Sequence, residues 1–134
     1  MLSEQAISSE IAYLMRKLKQ GDTKSALLGI GLDIETGRSV SLETARFFLT
    51  ESERAGSQDQ RTLLRLWTVK EAIFKADPKN DEKILGDYAI ENPLQWRGTA
   101  YSRGSKLLRF HYSSIEVDDG FLSIAVLAKG ERDV

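Results

Sequence analysis

A chain of 134 residues, 41% hydrophobic and 29% charged with two prolines, has the length and composition of one soluble folded domain spanning 1–134. Its net charge of −1 and pI near 5.9 argue against general binding to nucleic acid or anionic membrane, both of which favour a basic excess. The lack of cysteine excludes disulfides and thiolate metal sites, and a single histidine leaves little for a zinc cluster or a histidine-based triad, so any metal is expected to be a hard cation bound by oxygen.

In residues 3–20, Ile7, Ile11, Leu14, Met15 and Leu18 recur at helical spacing, with Ser3 placed as N-cap and Gly21 as the stop. This amphipathic helix is expected to pack on the domain's own sheet, with a second copy of the chain as the alternative. Glu4 and Glu10 interrupt the apolar region a signal peptide needs, and no apolar run approaches the roughly 20 residues that span a bilayer. A cytoplasmic location is the expectation.

After a polar turn at 21–24, residues 26–35 alternate with period two. Leu28, Ile30, Leu32 and Ile34 fall on one face, expected to meet the core, and Gly29, Gly31, Asp33 and Glu35 on the other. Glycine inside a strand weakens it and marks close approach of another backbone or a ligand. A polar turn at 36–40 leads to a short helix over 42–49 capped by Ser41, and Thr50 with Glu53 reads as a capping box opening another.

Beyond a loop at 57–60, the longest helix is expected over 59–76, ended by Pro78. Leu63, Leu66, Ile73 and Ala76 share one side, while Trp67, Glu71 and Lys75, spaced four apart, form a stripe of their own. A charged loop at 77–86 follows. Short strands are expected at 88–90, 94–101, 107–117 and 121–128, the last two as an antiparallel hairpin about Asp118-Asp119-Gly120, with a polar tail at 129–134.

Side chains two apart on a strand point the same way, so Asp33 and Glu35 can converge on one ion, and Glu71 from a facing helix would complete an oxygen-rich half-shell. Such a set suits Mg²⁺, which keeps several waters and is commonly held by one or two carboxylates plus substrate phosphate. Lys70 and Lys75 are the nearby groups able to neutralise that phosphate. Acids on the outer face of a strand and a Lys-Glu pair on a helix are, taken singly, more often a solvated surface.

The joint pattern is more telling. GIGLDIE at 29–35, ARFFLTESE at 45–53, LWTVKEAIFK at 66–75 and the closing VDDGFLSIAVLA at 117–128 resemble, in order and spacing, the 4′-phosphopantetheinyl transferase superfamily. The likeness covers about 28–128 and is strongest to the second half of the two-lobed, surfactin-synthetase-activating type. It implies an α+β fold with a small, mostly antiparallel sheet packed by one long helix and short flanking ones. It also implies Mg²⁺-dependent transfer of the phosphopantetheine arm of coenzyme A to a serine of an acyl or peptidyl carrier protein, releasing adenosine 3′,5′-bisphosphate.

Carried over by motif position, Asp33, Glu35 and Glu71 would hold the metal, and Glu71 would help deprotonate the serine, directly or through water. Lys75 would bind phosphate, Lys70 and Gly31 would stand at the coenzyme A site, and Trp67 would pack and position the helix. The chain departs from the two-lobed enzymes in having one helix where they carry a first half, and it has no Ser-His dipeptide. His111, within LRFHYSS, is assigned a structural or surface role. The single-lobed relatives resemble the chain in length and complete their sites between subunits, so a homo-oligomer is expected, trimer or dimer, through the apolar faces of the first helix and terminal hairpin. The alternative is a catalytically incomplete half-module that binds Mg²⁺ and coenzyme A and needs a partner chain.

Overall fold

The computed structural model describes residues 3–21, 27–56 and 59–128; most of the 21–24 turn, part of the 57–60 loop and the 129–134 tail lie outside them. In chain order come α1 (Glu4–Gly21), β1 (Leu27–Thr36), α2 (Leu42–Phe48), α3 (Glu51–Ala55), α4 (Gln60–Ala76), β2 (Tyr88–Ile90), β3 (Arg97–Ser102), β4 (Ser105–Val117) and β5 (Gly120–Ala128). The strands form one five-stranded antiparallel sheet in the order β1-β5-β4-β3-β2, which with the helices makes an α+β fold. Among the described residues no helix is long and apolar enough to cross a membrane.

Local chemistry sets the helix starts. Ser3, Ser41, Thr50 and Asp59 each accept a hydrogen bond from the amide three residues on, which satisfies a donor the first turn leaves without a partner. Glu53 closes the capping box by accepting from the Thr50 amide at 2.8 Å. Strand β3 begins at Arg97 rather than at 94, because Asn92 and Pro93 impose a turn in which the Asn92 side chain and carbonyl accept from the Leu94 and Gln95 amides.

The two helical layers divide the core. On one face of the sheet, α4 sets Leu63, Leu66, Val69 and Ile73 against Tyr88, Phe110, Tyr112 and Leu127. On the other, Leu14 and Leu18 of α1 cover Ile124, Val126 and Ala128 of β5. The apolar face of α1 thus packs on the chain's own terminal hairpin, with Ile11 left 40% exposed.

Strand β1 runs opposite to expectation. Leu28, Ile30, Leu32 and Ile34 are 44–54% exposed, while the glycine face turns inward. A Cβ on Gly29 would lie 1.9 Å from the Ala76 carbonyl oxygen, and one on Gly31 2.1 Å from that of Ala72. The backbone that approaches these glycines is that of α4, and it can approach only because no side chain intervenes.

Candidate active site

The bare glycine face continues along β1 into Asp33 and Glu35, so packing α4 on Gly29 and Gly31 carries the next two inward side chains to the flank of the helix. There α4 presents Glu71 and, one turn on, Lys75. Lys75 Nζ stands 3.0 Å from Asp33 Oδ1 and also donates to the Leu32 carbonyl at 3.2 Å. Asp33 is nearly buried, and its other oxygen, Oδ2, has no hydrogen-bond partner among the described residues.

The electrostatics show an excess of negative charge. Burial raises the Asp33 carboxyl above its usual range, and neighbouring Glu35 raises it further, against the opposing pull of Lys75 and Arg38. Burial raises Glu71 as well, followed by the charges of Asp33 and Glu35. The Glu71 carboxyl thus carries the repulsion of both strand acids, and that of Asp33 the repulsion of Glu35.

Arg38 is the member that sequence reasoning overlooked. It stands 3.7 Å from Glu35, and its guanidinium lies 4.5 Å from the centre of the Trp67 ring. Trp67 in turn meets Phe48 edge to face at 5.0 Å, so it packs and positions this side of α4. The available signal was a basic residue just after Gly37, whose φ of +62° turns the chain back toward the acids.

Two candidates fall elsewhere. Lys70 projects from the opposite side of α4 into the core, where its 0% exposed ammonium pairs with the 1% exposed Glu53 at 2.9 Å and donates to the Tyr88 carbonyl. A lysine enclosed in this way has no surface from which to meet a phosphate. Gly31 faces Ala72 and Ala76 of α4, so its lack of a side chain serves helix packing. His111 stays in the sheet, where burial first, then Arg109 and Lys17, lowers its pKa to about 4, so it is neutral at physiological pH.

The fit to Mg²⁺ rests on the donors. Asp33, Glu35 and Glu71 offer only carboxylate oxygens, mutually repelling, one of them buried without a partner; this is the chemistry a hard cation relieves. Among the described residues, no three acids are drawn together as a ready cage. An open, water-rich site with one or two direct carboxylates is what Mg²⁺ commonly takes. A groove of about 840 Å³ lies along the far edge of the sheet, between α3 and β2–β4, and none of these acids lines it.

The model of the 4′-phosphopantetheinyl transferase superfamily matches residues 29–125, a span that includes α4 and β1 from Gly29 onward. The crystal structure of the holo-[acyl-carrier-protein] synthase of Thermotoga maritima is similar in fold, with a TM-score of 0.59 and 18% identity over 80% of this chain and 66% of that one. The match thus spans just under two thirds of that protein's length. No curated protein matches the sequence.

Proposed function

Because the chain belongs to the 4′-phosphopantetheinyl transferase superfamily, we propose that it transfers the phosphopantetheine arm of coenzyme A to a serine of an acyl or peptidyl carrier protein. The observation that carries this reading is the meeting of Asp33, Glu35, Glu71 and Lys75 where β1 and α4 touch. Asp33, Glu35 and Glu71 would hold Mg²⁺, which supplies charge neutralisation and orientation for the coenzyme A pyrophosphate.

The residues of the chain account for the remaining requirements. Phosphoryl transfer asks chiefly for positioning and for neutralisation of the charge spread over phosphoryl oxygens, so no covalent nucleophile is needed. Lys75, half exposed at the end of its stem, offers its ammonium to a phosphate oxygen. Arg38, held on the Trp67 face, adds a second positive charge from the neighbouring turn. Glu71 takes the serine proton, directly or through one water. The serine oxygen bonds to the phosphorus bearing the pantetheine arm, the bond from that phosphorus to the bridging oxygen breaks, and adenosine 3′,5′-bisphosphate leaves.

The test is to incubate the pure chain with coenzyme A, Mg²⁺ and apo carrier proteins from fatty-acid, polyketide and peptide pathways, reading the added arm by intact mass. A carrier that gains the arm supports the assignment; no gain on any carrier, with coenzyme A binding still measurable, points to the half-module reading. That second reading is favoured by one observation, the uncovered apolar side of β1, which suits a chain that works with a partner.

A further inference from the structure

The sheet treats its two edges differently. With Val117 paired to Gly120 across a two-residue turn, the antiparallel ladders alternate, so Ile30, Leu32 and Ile34 of β1 direct their backbone groups away from β5. The side chains of these same three residues are exposed on the face opposite α4. Among the described residues, Lys75 on the Leu32 carbonyl is the one partner along that edge. At the other edge, the outward groups of β2 are occupied: Lys70 donates to the Tyr88 carbonyl, and Glu53 accepts from the Ile90 amide at 2.7 Å. The buried Glu53–Lys70 pair stands where a sixth strand would bind, whereas β1 is left long, apolar and open, a template for another strand.

We infer that β1 pairs edge to edge with β1 of a second copy of this chain, antiparallel about a two-fold axis through Leu32, to give a dimer with a ten-stranded sheet. Charge selects this register. Regular pairing of β1 runs from Gly29 to Thr36, beyond the irregularity at Leu27/Gly29. Outward-facing residues must meet outward-facing residues, so the two longest two-fold registers centre on Leu32 or on Asp33. The second sets Asp33 against its own copy, and like charges directly opposite are destabilising. The first sets Ile30 against Ile34, Leu32 against Leu32, Asp33 against Gly31 and Glu35 against Gly29, with no acid facing an acid.

Apolar stripes then join across the seam on the face free of α4, and the same patch serves both copies, as a two-fold interface requires. Each α4 end lies over Gly29 and Gly31 of its own strand, and antiparallel pairing offsets the two ends by four residues, roughly 13 Å along the strand. The Leu32 carbonyl keeps a second lone pair for the cross-strand amide beside Lys75.

This dimer deepens the transferase reading, since the pairing strand bears Asp33 and Glu35, but its test does not depend on transfer. The chain has no cysteine, so single cysteines report the register without background. Paired residues about 5.5 Å apart between Cα atoms lie within disulfide reach. Leu32→Cys under mild oxidation is expected to give a covalent dimer, while Ile30→Cys and Ile34→Cys cross-link when mixed and not alone. Sedimentation of the full chain is expected to give a dimer, and Ile30→Lys with Ile34→Lys a monomer that stays folded by circular dichroism and loses the concentration dependence of melting seen in the native dimer. A monomeric or trimeric native chain, a dimer that survives the double lysine variant, or cross-linking of Ile34→Cys to itself would each overturn the proposal.

Discussion

Glu71, the proposed base, carries a cost to the fold. Its carboxyl is raised from the usual value of 4.5 by burial and by Asp33 and Glu35, so the ionised form is less comfortable in the folded chain than in the unfolded one. The sign follows from linkage: the cost is absent below 4.5, where both states are protonated, and fully present once pH has risen past the folded value. Glu71→Gln is therefore expected to melt higher than the native chain at pH 7, with the gap closing as pH falls through the raised folded value and gone below 4.5. The same change should slow transfer by about 10²- to 10⁴-fold, the usual weight of a general base. Melting curves across pH, read beside a transfer assay, check both halves; a variant less stable at every pH would mean that Glu71 braces the fold.

At the scale of elements, the contact between β1 and α4 decides where the acids stand, and glycine decides the contact. Gly31→Ala would put a methyl 2.1 Å from the Ala72 carbonyl oxygen and 2.7 Å from the Ala76 amide nitrogen, where backbone cannot yield as a side-chain tip would. Overpacking of this kind costs about 1–3 kcal/mol. It would also lift α4 from β1 and draw Glu71 and Lys75 away from Asp33, so stability and transfer should fall together. Gly56→Ala, where an added Cβ meets nothing within 4 Å, is the control and should change neither. Urea titration and initial rates on the two variants separate the effects. The glycines were legible as a site of close approach, and the four-residue spacing of Trp67, Glu71 and Lys75 was legible as a stripe. What approaches the glycines was not: period-two alternation separates the two faces of a strand but does not say which meets the core, and the apolar face lost here because the backbone of α4 needed the bare one.

Across the whole molecule, the same limit explains Lys70. Adjacent to Glu71 in WTVKEAIFK, it looked like a second phosphate contact, yet one residue along a helix turns the side chain by about 100°, enough to send it into the core. Its partner Glu53 was legible only as a capping residue, since the groups that unite it with Lys70 and β2 lie far apart in sequence. The pair closes the β2 edge of the sheet, and this gives it a measurable weight. Lys70→Met would leave Glu53 as an uncompensated buried charge and the Tyr88 carbonyl without its donor, at a cost of about 3–5 kcal/mol. Replacing both partners, Lys70→Met with Glu53→Leu, removes the charges together and should recover much of that loss. It also strips the Thr50 and Ile90 amides of their acceptor, so recovery should stop short of the native value by about 1–3 kcal/mol for each amide left buried. Urea unfolding of the two variants and the native chain tests the ordering; a single variant as stable as the native chain would show that the pair does not hold this edge.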